Sequence, residues 1–542
     1  MGPLRCRFIP SKSHFHDVAL LVVVPNGKAF GRRSRTGRRL SHFCAHIRLH
    51  YCWRRHSRML PFLSEDPDVT VLLIERGSVA DTWANGVPLI SSDIFKDSIA
   101  RPLNSLPQAL GGTSRVNAMF YTCGVPADFN RWRDMGHPDW SYEKDATIFR
   151  QVRNYPQSPR VDFLGSVGEP ELFSYNLAHP STDRLKICPD TIAEQITFSS
   201  KVDGRPRAIG VEFGHHDGTG ATYFAKASRE VVVCCGAIES PQLLLLNGIG
   251  PSDHLKQHGI EVIVDNPGVG SNLKDHVDVP VMWNIPLDES IHVVIEKPLQ
   301  AIFELVKYLI SGRGILSDPF VRLAIFLPTR LLNENMEIVA SDSTDLDSTL
   351  PQNGPDLEIK PMPIYGLDPP PNATTIRVEE GVMNFMVCLL RPKSSGVVHL
   401  NSPDPYEKAS CDLRMLSDPE DLAVLTKGVR LSINLAEQVR AQGYPIKTYH
   451  RPISDSGKDI EAYICSYVRS GYHYTSTCRM DPFGDTHLGV VDDELHVHGV
   501  DGLRVCDASV FPDIMAAHTM VPVIMVAEKC ADTMKKPYCS SK

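Results

Sequence analysis

The chain has 542 residues, of which 42% are apolar, and this is enough for one large core or for two joined domains. Residues 1–60 hold 13 of the 56 Lys and Arg residues but one of the 64 acidic residues, so this segment carries +12 and the remaining 482 residues carry −20. The acidic body excludes a general nucleic-acid binder, because a phosphate backbone is bound mainly by clustered Lys and Arg.

The basic N-terminal segment leaves several roles open. Its run 31–39, GRRSRTGRR, has the composition of a segment that binds RNA, a membrane surface or an import receptor. The apolar run at 18–24 is too short to span a bilayer, and Pro-Asn-Gly follows it instead of a small-residue cleavage site. We therefore expect a cytoplasmic protein without a transmembrane segment.

Fourteen cysteines are scattered along the chain without a Cys-x-x-Cys pair. This pattern predicts neither a disulfide framework nor a zinc site, and we expect no metal. Free, mostly buried thiols fit a reducing compartment.

A strand is predicted at residues 68–75, and it ends in the acid Glu75. Such a strand is typical of a dinucleotide-binding unit, whose terminal carboxylate binds the adenosine ribose hydroxyls. The unit also needs a glycine-rich turn about 20 residues earlier, where the backbone approaches the pyrophosphate. Residues 39–75 contain no glycine, and the stretch after a possible first strand at 18–24 gives no Gly-x-Gly-x-x-Gly pattern. We therefore predict that residues 1–60 are not a native cofactor-binding element, through gene-model error or decay.

A glycine-rich loop follows at residues 110–124, LGGTSRVNAMFYTCG. Paired glycines let the backbone pass close to a planar ligand, and Thr113 and Asn117 can hydrogen-bond a phosphate or a ring edge. Further along, residues 208–213 and 230–236 read as strands. The second strand runs into an apolar helix that we expect to begin near Ser240, with proline in its first turn.

The middle of the chain predicts structure but no chemistry. Residues 298–310 form an amphipathic helix that ends at Gly312, and residues 354–371 form a proline-rich loop. A helix is expected over 417–442. The identity of the substrate is determined in this region, and the pattern does not specify it.

The C-terminal stretch 470–525 carries two histidines, His473 and His518, at the two ends of one unit. Between them a short apolar strand at 503–507 ends in Asp507, and an apolar helix follows at 521–530. A neutral histidine can accept a proton from a hydroxyl group while a second histidine holds that hydroxyl in place. The pair therefore predicts general-base chemistry.

Three stretches together resemble the signatures of the glucose-methanol-choline (GMC) oxidoreductases, a family of FAD enzymes that oxidise alcohols. They are the loop 110–124, the strand and helix at 230–250, and YHYTSTCRM at 472–480 with the segments around Asp507 and His518. The resemblance covers about residues 63–534. It departs from the family at Ser476, where glycine is usual, at Asn247, where serine is usual, and in a shortened stretch near residues 153–185.

The resemblance implies FAD as the cofactor and His473 and His518 as the catalytic residues. The residues that it implies as cofactor contacts are Glu75, Gly111, Thr113, Asn117, Ala118, Asp507, Ala508, Thr519 and Met520.

The fold that the resemblance implies is α/β: a discontinuous Rossmann-type FAD-binding domain and an α+β substrate domain with an antiparallel sheet, in which residues 389–400 match one strand. The predicted FAD-binding parts are 61–134, 185–285 and the catalytic C-terminal part 456–542. The substrate domain is expected at 286–455 with a shortened segment at 135–184, and residues 1–60 form the atypical basic segment.

The resemblance implies oxidation of a small-molecule alcohol to an aldehyde or ketone. Secondary metabolism is the setting that it suggests. His473 takes the hydroxyl proton, His518 hydrogen-bonds the same oxygen, and a hydride passes to flavin N5. The electron acceptor, O2 or a quinone-like compound, and the oligomeric state stay open. Two rival hypotheses are a hydroxynitrile-lyase-like flavoprotein and a degenerate, non-catalytic relative that lacks the phosphate-binding loop.

Overall fold

The computed structural model describes residues 19–25, 30–31, 69–77, 120, 122–144, 185–200, 204–317, 321–339, 342–364, 380–481 and 488–539. The strands in these residues are, in chain order, β1 (Ala19–Pro25), β2 (Phe30–Gly31), β3 (Val69–Glu75), β4 (Leu185–Cys188), β5 (Thr191–Phe198), β6 (Ala208–His215), β7 (Tyr223–Lys226), β8 (Val231–Val233), β9 (Ile249–Gly250), β10 (Val264–Asp265), β11 (Val277–Pro286), β12 (Ile325–Leu327), β13 (Leu357–Met362), β14 (Glu380–Leu389), β15 (Val397–His399), β16 (Ser410–Asp412), β17 (Lys447–His450), β18 (Arg469–Ser470) and β19 (Leu503–Val505). The α-helices are α1 (Pro126–Asp134), α2 (Gly236–Leu246), α3 (Ser252–Gln257), α4 (His292–Glu296), α5 (Pro298–Ser311), α6 (Pro419–Ala441), α7 (Gly457–Tyr467) and α8 (Met520–Cys539).

One sheet has five strands in the order β19-β8-β1-β3-β4. Buried side chains of β3, β8 and β19 form part of one apolar core. β19 is parallel to β8, and β3 is parallel to β4. β1 lies between β8 and β3 and is antiparallel to both. The valines of β8 are fully buried, as expected of a central strand covered on both faces, and α2 and α8 contribute Leu244 and Val526 to the same core.

A second, antiparallel sheet has the order β12-β13-β14-β11-β17, and β18 also pairs with β11. Side chains of one sheet face, such as Trp283 and Val387, share a core with Val429 of α6 and Ile460 of α7. A four-stranded sheet, β2-β7-β6-β5, completes the larger sheets of the described residues. Parallel strand pairs with helices, together with a separate antiparallel sheet, confirm the predicted α/β class with an antiparallel substrate sheet.

Helix α2 begins at Gly236, one turn earlier than predicted, so Pro241 lies inside the helix. A proline has no N–H group, and the carbonyl four residues before it therefore loses its helical partner. That carbonyl belongs to Ala237, and it accepts a hydrogen bond of 2.5 Å from the Thr477 hydroxyl. The side-chain donor comes from a distant part of the chain, which explains why the local pattern misplaced the start of the helix.

The strand predicted within 389–400 is wrong in its extent. The long strand β14 ends at Leu389, and β15 pairs with β16 in a separate two-stranded ribbon. Pro392 lies between the two strands, where it cannot donate a ladder hydrogen bond. The helices predicted at 298–310 and 417–442 are confirmed as α5 and α6, and Gly312 ends α5 with φ of 64°.

Nine cysteines of the described residues are free thiols, whereas Cys465 in α7 is disulfide-bonded. The scattered spacing did not predict this bond, because pairing depends on distance in the folded chain.

Candidate active site

His473 and His518 meet in the folded chain, with ring centroids 4.6 Å apart and ring planes at 77°. His473 follows the short strand β18, and His518 lies in the turn before α8. The side chain of His518 is 13% exposed. The two predicted catalytic residues thus form one cluster at a partly open position.

A third histidine, His276, belongs to the same cluster. Its Nδ1 lies 2.8 Å from Nδ1 of His473, and its Nε2 lies 3.0 Å from the carbonyl oxygen of Met515. Burial is the main cause that lowers the pKa of His276 to about 3, and the neighbouring His518 is the second cause. This ring is therefore neutral at physiological pH. No local pattern assigned His276 to catalysis, because only the fold brings this residue against the turn at 470–476.

These contacts determine which ring nitrogens carry protons. A carbonyl oxygen can only accept, so Nε2 of His276 carries the proton and Nδ1 of the same neutral ring has a lone pair. The Nδ1–H group of His473 must then donate to this lone pair. Nε2 of neutral His473 therefore carries no proton and has a lone pair of its own. Burial, followed by the neighbouring imidazoles of His518 and His276, lowers the pKa of His473 well below its usual value and keeps the ring neutral.

Asp275 anchors the backbone of this turn. Its Oδ1 accepts a 2.7 Å hydrogen bond from the His473 backbone N–H, and its Oδ2 accepts one of 2.5 Å from the Ser470 hydroxyl. Burial raises the pKa of Asp275 to about 7. Backbone and ring contacts therefore both orient His473.

His518 is held by a carboxylate. Its Nε2 donates to Oε1 of Glu358 at 3.2 Å, and its backbone N–H donates to the Thr122 hydroxyl at 2.7 Å. The ring of Phe120 lies edge-on against the imidazole, with centroids 4.8 Å apart. Burial alone would raise the pKa of Glu358, but Lys360 and His518 outweigh it and lower the pKa to about 2, so Glu358 is an anion.

Glu358 is part of a buried ion network on one face of the antiparallel sheet. Register places Asp278, Cys388 and Glu358 side by side on β11, β14 and β13. Lys360 Nζ lies 3.3 Å from Asp278 Oδ1 and 3.6 Å from Glu358 Oε2. In sequence, the alternation Leu-Glu-Ile-Lys in β13 is typical of a strand with one solvent-facing side, yet Glu358 and Lys360 are almost completely buried. The loop predicted over 354–371 is therefore wrong at β13: the alternation was the signal of a strand, and the sheet face that it marks lies toward the histidines.

Two predicted cofactor contacts are buried carboxylates at the carboxyl ends of parallel strands, where open α/β sheets bind ligands. Glu75 ends β3, and its Oε1 accepts from the backbone N–H of Gly77 at 2.9 Å. Asp507 follows β19, and it accepts from Gly236 N at 3.0 Å and from Ser509 N at 2.7 Å. Asp507 thus joins the end of β19 to the first turn of α2.

The strand that would precede the diphosphate-binding turn runs in the opposite direction from the first strand of a usual dinucleotide-binding unit. Ala19 pairs with Glu75 and Pro25 pairs with Val69, so β1 runs opposite to β3 and its carboxyl end lies at the far edge of the sheet. A phosphate-binding turn follows the carboxyl end of a first parallel strand, and β1 cannot supply such a turn at the edge where Glu75 lies. The residues at the ribose and catalytic ends fit a flavin dinucleotide, whereas β1 does not provide the usual diphosphate contact. This orientation is consistent with the hypothesis about residues 1–60, which stays a prediction.

The remaining predicted contacts lie close to the histidine cluster or outside the described residues. Ala508 begins a 3-10 turn and accepts from Ser476 N at 3.1 Å, and Thr519 directly precedes α8, which begins at Met520 beside His518. Ser476 has φ of 72°, the left-handed region that favours glycine. The contacts that lie outside the described residues are Gly111, Thr113, Asn117 and Ala118.

Comparisons with known proteins place this geometry in context. Models of the GMC oxidoreductase family match residues 174–278 and 392–527. An uncharacterised GMC-type oxidoreductase of Mycobacterium bovis is 30% identical over 87% of this chain and 96% of its own length. An alcohol dehydrogenase [acceptor] of Pseudomonas putida is 26% identical over 87% of this chain and 92% of its own. A formate oxidase of Aspergillus oryzae, studied for the modification of its FAD, is similar in structure with a TM-score of 0.71 and 23% identity, over 89% of this chain and 96% of that one.

Proposed function

The chain belongs to the GMC oxidoreductase family, and from this premise we propose that it oxidises an alcohol to an aldehyde or ketone with His473 as the general base. The single observation that supports this assignment is the histidine cluster, in which contacts to His276 and Met515 leave Nε2 of His473 unprotonated. The alcohol dehydrogenase from Pseudomonas putida supports the substrate class.

FAD is the cofactor. We propose that Glu75 binds its ribose end and that Thr519 and Met520, at the start of α8, lie at its flavin end. Asp507 and Ala508 position the turn between them, and the loop with Gly111, Thr113, Asn117 and Ala118 completes the site. Bound FAD supplies the hydride acceptor, and all proton chemistry falls to side chains of this protein.

His473 takes the hydroxyl proton at Nε2. The lowered pKa of His473 keeps this nitrogen free of protons at neutral pH, and the partner at Nδ1 keeps the reactive tautomer in place. The proton makes the ring cationic, and the lone pair of His276 still accepts its Nδ1–H. The base thus changes charge without losing a hydrogen bond.

His518 holds the substrate oxygen beside His473. Its Nε2 donates to Glu358, so Nδ1 is the ring nitrogen that can face the substrate, and it donates to the substrate oxygen in the imidazolium form, with Glu358 as the counter-ion. The anionic carboxylate of Glu358 also offsets the positive charge that develops on the cluster when the proton leaves the alcohol.

Anaerobic mixing with benzyl alcohol, 1-hexanol and choline tests the proposal. The His473→Ala variant should retain near-normal flavin content but lose flavin reduction by whichever alcohol reduces the wild-type protein. His399→Ala, which removes an exposed histidine on β15, is the matched control. In this variant the alcohol should reduce the flavin as it does in the wild-type protein. Unchanged reduction in His473→Ala would rule out this residue as the base.

The reversed strand β1 favours one rival, a relative that binds FAD weakly or not at all. The visible absorbance of the purified chain separates the two, since a bound flavin is coloured and an empty protein is not. A chain that lacks this absorbance, and that does not gain it on titration with FAD, contradicts the proposed function.

A further inference from the structure

Helix α5 exposes a continuous apolar surface, which we name the α5 stripe. Its members recur at spacings of three and four along the helix, so they lie on one face. Each is between 47% and 83% exposed, and together they are Leu299, Ile302, Phe303, Val306, Leu309 and Ile310. Single exposed apolar side chains are ordinary, but a contiguous stripe of six marks an interaction surface.

The opposite face of α5 lies close to the histidine cluster. Leu305 and Tyr308 belong to a small apolar core that also contains Met362 and Phe120. The ring of Phe120 lies edge-on against His518. One apolar layer therefore separates the α5 stripe from the candidate active site.

The exposed charges on and beside α5 have one sign. Between residues 297 and 313 the exposed charged side chains are Lys297, Lys307 and Arg313. The acid of this stretch, Glu304, is buried; it accepts from the backbone N–H of Ile315 at 3.2 Å, and its Oε2 lies 3.5 Å from Nζ of Lys307. A solvent-facing apolar stripe bordered by cations is the pattern of a helix that lies in the headgroup region of a membrane.

We propose that the α5 stripe docks on the surface of a lipid membrane that contains anionic lipids. The helix lies in the plane of the membrane, with the apolar side chains among the acyl chains and the cations at the headgroups. A second copy of the chain fits less well, because a twofold contact along the stripe would place cations against cations: Arg313 near Lys297 if the two helices are antiparallel, and like against like if they are parallel. In the described part of the chain, no helix is both long and apolar enough to cross a bilayer.

Sedimentation with lipid vesicles tests this docking on the full chain. The wild-type protein should sediment with vesicles of equal parts phosphatidylcholine and phosphatidylglycerol, and at least about tenfold less with phosphatidylcholine alone. A triple variant, Leu299→Gln, Leu309→Gln and Ile310→Gln, should bind the anionic vesicles at least about tenfold more weakly, because it removes apolar burial while keeping good helix formers. Lys307→Glu with Arg313→Glu should weaken binding to anionic vesicles and leave any binding to phosphatidylcholine unchanged.

Ile453→Gln is the matched control, since Ile453 is 96% exposed and lies outside the stripe. It should bind as the wild type does, and an unchanged unfolding midpoint confirms that each variant is folded. Failure of the wild type to sediment with anionic vesicles, or unchanged binding by the triple variant, overturns the proposal. A lipid-free dimer that the triple variant converts to a monomer also overturns it and assigns the stripe to a second copy. None of these outcomes depends on alcohol oxidation.

Discussion

Replacement of His276 by leucine should slow flavin reduction without emptying the flavin site. The change removes the acceptor for Nδ1–H of His473, 2.8 Å away, and the donor to the Met515 carbonyl. Without that acceptor, the proton of neutral His473 is no longer confined to Nδ1. The tautomer with the proton on Nε2 cannot accept a hydroxyl proton at that nitrogen.

The expected size follows from one hydrogen bond. A buried donor that loses its partner costs about 1–3 kcal/mol, and this is the preference for the reactive tautomer that His276 supplies. At about 1.4 kcal/mol per factor of ten, the rate of flavin reduction should fall by about 5- to 150-fold. The His276→Asn variant keeps a side-chain acceptor near the position of Nδ1 and should recover part of this loss.

Stopped-flow reduction of the bound flavin by a saturating alcohol measures the effect, with flavin content as the check on folding. The limiting rate should fall in His276→Leu, while the apparent dissociation constant of the alcohol changes little. Equal rates in the leucine variant and the wild type, or an asparagine variant as slow as the leucine variant, would refute the tautomer reasoning.

Four further outcomes follow from the same structure. Ser476→Gly should raise the free energy of unfolding by about 1 kcal/mol in urea titrations, because φ of 72° is strained for serine, and Ser476→Ala should give no such gain. Thr477→Val should lower it by about 1–3 kcal/mol, since the Ala237 carbonyl then lacks a partner, and a loss near zero would exclude that hydrogen bond as a stabilising contact. The pKa of His276 is depressed to about 3, so its contribution to stability is present above pH 6.5 and is lost as the pH falls toward 3, at up to about 1.4 kcal/mol per unit; in His276→Leu the acid slope should flatten. Glu358→Gln keeps the shape but removes the charge at His518 and should slow flavin reduction about tenfold at pH 7, whereas an unchanged rate would deny its electrostatic role.

Periodicity and local signals predicted most secondary structure. The amphipathic α5 and its glycine stop, the long α6, and the apolar strands ending at Glu75 and before Asp507 all lie where the pattern indicated. They depend on neighbours within a few residues, and a sequence displays those directly. The start of α2 was misplaced because the partner of the Ala237 carbonyl lies 240 positions away.

The sequence by itself identified the family, and it predicted His473 and His518 as the catalytic residues because they lie in specific sequence motifs. Only the tertiary structure decided how those rings are protonated and charged. That state depends on His276 and Glu358, which come from two other segments, and on the carbonyl of Met515, which lies near His518 in the chain. The direction of β1 was also a tertiary outcome, because a run of apolar residues pairs equally well in either sense until its neighbours in the sheet select one.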